Sequence, residues 1–257
     1  MRVEVPARRR LTRPGHSMIG LMGGSLPSFV GLYGSASLIS YWKLDEASGS
    51  RADSYGTNTL TDNNTVTQNP GKLGKAAQIT LANTEWLSVA SNSSLQSGNI
   101  DFTITAWVYL DSKATSEEIV TKLTGALALG EYQLQYSATS DRFQFQTWDT
   151  AVVKGTVDAN NLGSPSTATW YYVIAWRDKT AATVNIQVNN GTVNSAAETG
   201  PPATSAEGFS IGALSTLGQN GWDGRIDSVG FWKRTLNATE RAALYNSGNG
   251  MPIVGSE

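Results

Sequence analysis

The chain of 257 residues contains no cysteine and a single histidine, His16. Without cysteine there is no disulfide framework and no thiolate metal site. With its one histidine close to the N-terminus, the remainder holds no Ser-His-Asp triad. Charged residues make up only 16% of the chain. No stretch is apolar for long enough to span a bilayer, so the expectation is a soluble chain. The glycines between Gly20 and Gly24 lack the lysine that a phosphate-binding loop requires. A secreted chain of this size without cysteine fits bacteria or their viruses better than animal extracellular matrix.

What the chain has in quantity is Gly, Thr, Ser and Asn, the composition of many short strands joined by tight turns. Phe102, Ile104, Ala106, Val108 and Leu110 alternate with Thr103, Thr105, Trp107 and Tyr109, a clean period of two. Tyr132 to Tyr136 and Arg142 to Gln146 flank Thr139-Ser140-Asp141 as a hairpin. Further strands are expected at Leu38–Leu44, Gln78–Leu81, Trp86–Val89, Trp170–Trp176, Val184–Val188 and Phe209–Gly212, with a type I′ turn at Asn190-Gly191. Glu117 and Glu118 are placed on a loop.

The stretch from Gly221 to Gly250 changes period partway. Ile226, Val229 and Phe231 read as a half-buried strand with an irregularity near Gly230. Asn237 then caps a short helix, with Glu240 as capping-box partner and Gly248 placed to end it. Many strands and one late helix predict an all-β, antiparallel jelly-roll sandwich with one short C-terminal helix. Three parts are expected: an extended N-terminal arm over 1–37, the sandwich over 38–250 and a tail over 251–257.

Four motifs carry a resemblance. They are Tyr41-Trp42-Lys43-Leu44-Asp45-Glu46 with Asp53, Gly56 and Asn58; Gly71-Lys72-Leu73-Gly74-Lys75; Asp101 to Val108; and Asp223 to Trp232 followed by Arg234-Thr235-Leu236 and Glu240. In this order they resemble laminin-G-like domains of the concanavalin A-like superfamily. The resemblance implies a sandwich of that type, and also a structural calcium ion shared by Asp53, Asn58 and Asp227, oxygen ligands that suit this metal. The alternative is that Asp53 caps a turn and Asp227 pairs with a base such as Arg225 or Lys43.

A fold of this kind hosts unrelated functions, so function has to be read from sites. Glycoside hydrolysis needs two carboxylates roughly 5–9 Å apart across the sugar, and no strand carries the alternating acids for it, so no enzyme activity is expected. Trp42, Trp107, Trp170, Trp176 and Trp232 fall inside strands and are assigned to packing. Trp148 and Trp222 fall in or beside loops and are the candidates for stacking on a sugar, against the alternative that they fold back onto the sandwich.

Residues 1–37 resemble a signal peptide in outline, but Gly20, Gly23, Gly24, Pro27 and Gly31 would cripple its apolar helix. Arg2, Arg8, Arg9, Arg10 and Arg13 against Glu4 leave a net charge of +4 in the first 13 residues, so the remainder of a chain of −2 carries −6. Five arginines without a basic sandwich face do not make a nucleic-acid site. The expectation is an assembly arm, with Arg8, Arg9, Arg10, Phe29 and Tyr33 meeting other protein subunits. The leading functional expectation is a non-catalytic surface component, of a bacteriophage virion or a cell surface, anchored by this arm. The alternative is a carbohydrate-binding adhesin module that meets cell-surface glycans, with glycoside hydrolase behind both.

Overall fold

The structure, a computed structural model, describes residues 37–124, 130–214 and 219–253. The arm residues Arg8, Arg9, Arg10, Phe29 and Tyr33 lie outside the described residues. Strands follow in the order β1 (Leu38–Trp42), β2 (Thr61–Asn63), β3 (Thr67–Pro70), β4 (Lys75–Ile79) and β5 (Trp86–Val89). Next come β6 (Phe102–Leu110), β7 (Glu117–Leu123), β8 (Gly130–Ser137), β9 (Arg142–Asp149) and β10 (Val152–Asp158). The chain closes with β11 (Trp170–Asp178), β12 (Thr183–Val188), β13 (Asn194–Ala197), β14 (Phe209–Ile211), β15 (Gly224–Trp232) and helix α1 (Ala238–Tyr245).

All strand pairs are antiparallel, and the strands form two sheets. The eight-stranded sheet runs β13-β12-β11-β6-β15-β4-β3, with β1 also on β15; the seven-stranded sheet runs β10-β9-β8-β7-β14-β5-β2. This is the expected jelly-roll sandwich. Its core follows from the period of two: one face of each strand supplies it, as with Phe102, Ile104, Ala106, Val108 and Leu110 on β6 and Tyr132, Leu134 and Tyr136 on β8. Each large apolar side chain so buried is worth roughly 1.5–3 kcal/mol.

The outer face of the eight-stranded sheet is sealed by a second, smaller core. Tyr41, Trp107, Tyr172, Ile174, Trp176 and Trp232 meet Leu236, Leu244 and Ile253 there, so packing continues past Gly250. Asn237 caps α1 in a full capping box with Glu240. Arg241 lies 4.4 Å over the Trp176 ring and donates to Gln187. The helix ends earlier than the glycine signal indicates. Asn246 already takes the left-handed conformation as C-cap, and Gly248 follows with its own positive φ. A side-chain amide tolerates that conformation, and here it also donates to the Gly250 carbonyl.

Other departures are local. Glu117 and Glu118 open the fully buried strand β7 instead of lying on a loop. The irregularity near Gly230 is a bulge in the β15–β6 register, with Ser228 at φ 53°. The turn after β12 uses Asn189 and Asn190 as its two left-handed residues, one position earlier than expected. Strands β2, β3, β10 and β13 were not predicted. They are short or largely exposed, so little apolar alternation marks them.

Candidate functional site

The seven-stranded sheet presents a different outer face. One register row crosses all seven of its strands as Thr61, Ser88, Ser210, Thr121, Gln133, Gln146 and Thr156. A second row holds Glu118, Gln135, Gln144 and Asp158. Every residue of both rows is polar. The glutamines reach this face because Tyr132, Leu134, Phe143 and Phe145 take the inward positions of β8 and β9.

The rows are wired together. Gln133 Nε2 donates to Glu118 Oε1 at 2.7 Å and to Gln135 Oε1 at 3.3 Å. Gln135 Nε2 donates to Gln144 Oε1 at 2.7 Å, and Gln144 Nε2 donates to Asp158 Oδ1 at 2.8 Å. Asn220 Nδ2 also donates to Glu118 Oε1, at 3.4 Å. Among the described residues, the buried polar atoms on this face with no hydrogen-bond partner include Glu118 Oε2, Ser210 Oγ and Trp148 Nε1, with Trp86 Nε1 and Arg142 Nε farther along it. An unpartnered buried polar atom costs about 1–3 kcal/mol, so several on one face mark a place where stability has been given up.

A cleft of about 230 Å³ opens beside these rows at Gln133, lined also by Trp148, Gln219, Asn220, Leu123, Thr124 and Leu214. Trp148 stands on β9, outward-facing and half-buried. Burial pushes the Glu118 carboxyl up to about 8, against the lowering effect of its bonds from Gln133 and Asn220. An uncharged carboxyl below two carboxamides and an indole makes a site suited to hydroxyl groups. Of these residues only Trp148 is a sequence candidate. The alternating Gln133/Gln135 and Gln144/Gln146 pairs were the available signal.

Trp222, the other candidate for sugar stacking, is corrected: it is fully buried in the main core. Its backbone N–H donates to the Gly212 carbonyl at 2.7 Å, which turns the chain back into the sandwich before β15. With both ring faces packed, it offers none to a ligand.

Asp53, Asn58 and Asp227 are each engaged, and Asp227 shares no hydrogen-bond partner with the other two. Asp53 Oδ1 accepts from the N–H groups of Tyr41, Tyr55 and Gly56, and Oδ2 from that of Asn58. The Asn58 side chain bonds Ser40, Ser94 and Asn92. Asp227 Oδ2 accepts from the N–H groups of Lys72 and Leu73, and Oδ1 from the Ser228 hydroxyl. Burial pushes the Asp227 carboxyl up to about 7 even so. With their oxygens occupied by N–H and O–H donors, these three residues as placed do not fit a shared calcium ion. Asp53 holds a turn, and Asp227 holds a loop by backbone groups, not through Arg225 or Lys43.

Two measurements test these assignments. Asp53→Ala strips four N–H groups of their acceptor and should cost about 2–4 kcal/mol, while the wild type should melt at one temperature in chelator and in calcium; a chelator-dependent melt would restore the metal. For Glu118 the sign is set by a raised pKa. The unfolded carboxyl titrates near 4.5 and the folded one near 8, so its contribution is fully present below 4.5 and is lost as pH rises through 8. Glu118→Gln should lack this loss and gain on the wild type by on the order of 3 kcal/mol between about pH 4 and pH 7. Parallel stability–pH curves would show that Glu118 ionises normally.

Comparison with known proteins agrees with this architecture. A laminin-G-type family model of the concanavalin A-like lectin/glucanases superfamily matches residues 81–240. A comparison with curated protein sequences finds no match. Among solved structures, the binding domain of Paraclostridial Mosquitocidal Protein 1 superposes with TM-score 0.63 at 15% identity, covering 82% of the chain. The chain spans about half of that protein, 52%. Domain 4 of AbnA, an extracellular GH43 arabinanase from Geobacillus stearothermophilus solved with arabinotriose, gives 0.56 at 16% identity, covering 84% of the chain and 98% of the domain. Trypanosoma rangeli sialidase in complex with sialic acid gives 0.58 at 14% identity, covering 85% of the chain and 34% of the enzyme. At such identities the likeness is one of fold. The family match spans more than half of the sequence, and the chain belongs to the concanavalin A-like lectin/glucanase superfamily.

Proposed function

We propose that the protein is a non-catalytic glycan-binding module, with the cleft beside Trp148 as its sugar site. The observation that carries this is the polar outer face of the seven-stranded sheet, where Trp148 stands beside carboxamides with unpartnered buried polar atoms around them. An indole face stacks on the apolar face of a pyranose or furanose ring, while amides and a neutral carboxyl meet its hydroxyls. The AbnA domain, which shares this fold, was solved with a bound arabinotriose, and that supports the reading.

Hydrolysis is disfavoured by the same geometry. Glycosidases use a pair of carboxyl groups flanking the bond. Glu118 is the one acid bonded to the described cleft residues, and it is buried beneath them. Glu117, its neighbour in sequence, is tied to the Asp223 N–H and to Ser112. We retain display of the module on a virion or cell surface by residues 1–37 as the second part of the proposal, resting on the arginine-rich sequence of that segment. No described helix is long and apolar enough to cross a membrane.

Trp148→Ala should reduce binding to an oligosaccharide array at least tenfold while leaving the melting temperature within a few degrees. A full set of array signals from the folded variant would remove Trp148 and the cleft from the proposal. A chain lacking residues 1–37 should keep its β circular dichroism and its array profile but lose incorporation into its assembly. Unchanged incorporation would remove the anchoring role.

A further inference from the structure

We infer that the cleft selects neutral, hydroxyl-rich sugars over sugars carrying a carboxylate, and that a relay of side-chain amides ending at Asp158 sets this selectivity. The inference rests on the glycan-binding reading of the cleft and adds the class of ligand to it.

The polarity of the relay is set at its far end. A carboxylate oxygen can only accept, so Gln144 must turn its Nε2 toward Asp158. Ser140 Oγ donates to the same oxygen and helps fix it. Gln144 Oε1 then faces Gln135, which must present Nε2. Gln135 Oε1 in turn faces Gln133, which must do the same. Both amide hydrogens of Gln133 are thereby spent, one on Gln135 and one on Glu118. Its carbonyl oxygen is the end left for the cleft it lines. Amide orientation is usually ambiguous, but a chain anchored on an obligate acceptor has one polarity.

A ligand in this cleft therefore meets the Gln133 carbonyl as a fixed acceptor and has to bring a donor to it, while the uncharged donors present, such as the Trp148 Nε1–H, hydrogen-bond a hydroxyl oxygen without neutralising a carboxylate. Sugar hydroxyls bring that donor. A carboxylate brings only acceptors, and the described lining contains no lysine or arginine to receive it. Of the basic residues elsewhere on or behind this sheet, Lys154 is ion-paired with Asp149 at 3.2 Å and Lys122 with Glu131 at 3.1 Å, and Arg142 is held by backbone carbonyls, that of Asp141 at 2.7 Å. Placing a second acceptor against a fixed one leaves both unpaired, and this mismatch separates otherwise similar ligands.

The test uses the full chain and matched pairs that differ by a carboxylate: methyl galactoside with methyl galacturonoside, and methyl-esterified oligogalacturonate with the same unesterified oligomer. Calorimetry should give at least tenfold tighter binding of the neutral member of any pair that binds. In Asp158→Asn the terminal group can donate as well as accept, so the relay can reverse and the ratio should fall toward one. Gln144→Ala breaks the relay without touching Asp158 and should do the same, which covers a failure of the first variant to fold. A carboxylate sugar bound as tightly as its neutral partner, with binding lost in Trp148→Ala, overturns the selectivity while the glycan site stands. An unchanged ratio in a folded relay variant overturns the role of the relay. No binding of any probe that depends on Trp148 overturns the glycan-binding reading and this inference together.

Discussion

Backbone N–H groups that leave a sheet ladder must find acceptors, and in this cysteine-free sandwich buried acids supply them. Asp53 gathers four such groups and closes the turn after β1. Asp227, in the central strand β15, reaches Lys72 and Leu73 across 155 and 154 positions of sequence. Asp45 takes the Lys75 N–H at 2.7 Å on the other side of the same loop. A Cβ at Gly71 would sit 2.7 Å from Asp227 Oδ2, and one at Gly74 2.8 Å from Asp45 Oδ1, so both glycines are required by close approach. Glu131 ties the backbone of Ser97 to that of Ser205 and balances its charge on Lys122. Such acids do the work that disulfides do in other loop-rich domains, and they work only while their surroundings exclude water.

This explains why the motifs recognisable in sequence are structural. Asp45, Gly71-Lys72-Leu73-Gly74 and Asp227 belong to one latch that binds the opening, the β3–β4 turn and the closing strand. The residues marking the family are those that hold the loops, and they say little about what the domain binds.

Function depends on how the two sheets differ. The eight-stranded sheet spends its outer face on Trp107, Trp176, Trp232 and α1. The seven-stranded sheet fills its outer face with amides and hydroxyls. A polar face so well connected is rigid, because each amide orients the next. Rigidity favours binding, since the groups that meet a ligand need no ordering when it arrives. The buried Glu118 runs against the stability of the fold at neutral pH. Its uncharged form, however, removes a charge that would otherwise draw water into the cleft.

How much was legible in the sequence follows from the same division. The sandwich, the strand β6 and the capped helix show themselves by period, because each has one apolar face and one polar face. Glu117 and Glu118 misled because two adjacent acids imply solvent, whereas β7 is buried on both faces. Trp222 misled because its neighbours read as a loop, and only the Gly212 contact returns it to the core. Trp148 was a stacking candidate beside a loop, and the structure sets it within β9. Its partners were not legible, since Gln133 of β8, Asn220 before β15 and Asp158 of β10 come together only through register. That pairing is long-range, and local sequence carries no record of which strand lies beside which. The glutamine alternation on β8 and β9 marked a polar outer face; the polarity of the relay, and with it the class of sugar, emerges only when Asp158 is seen at its end.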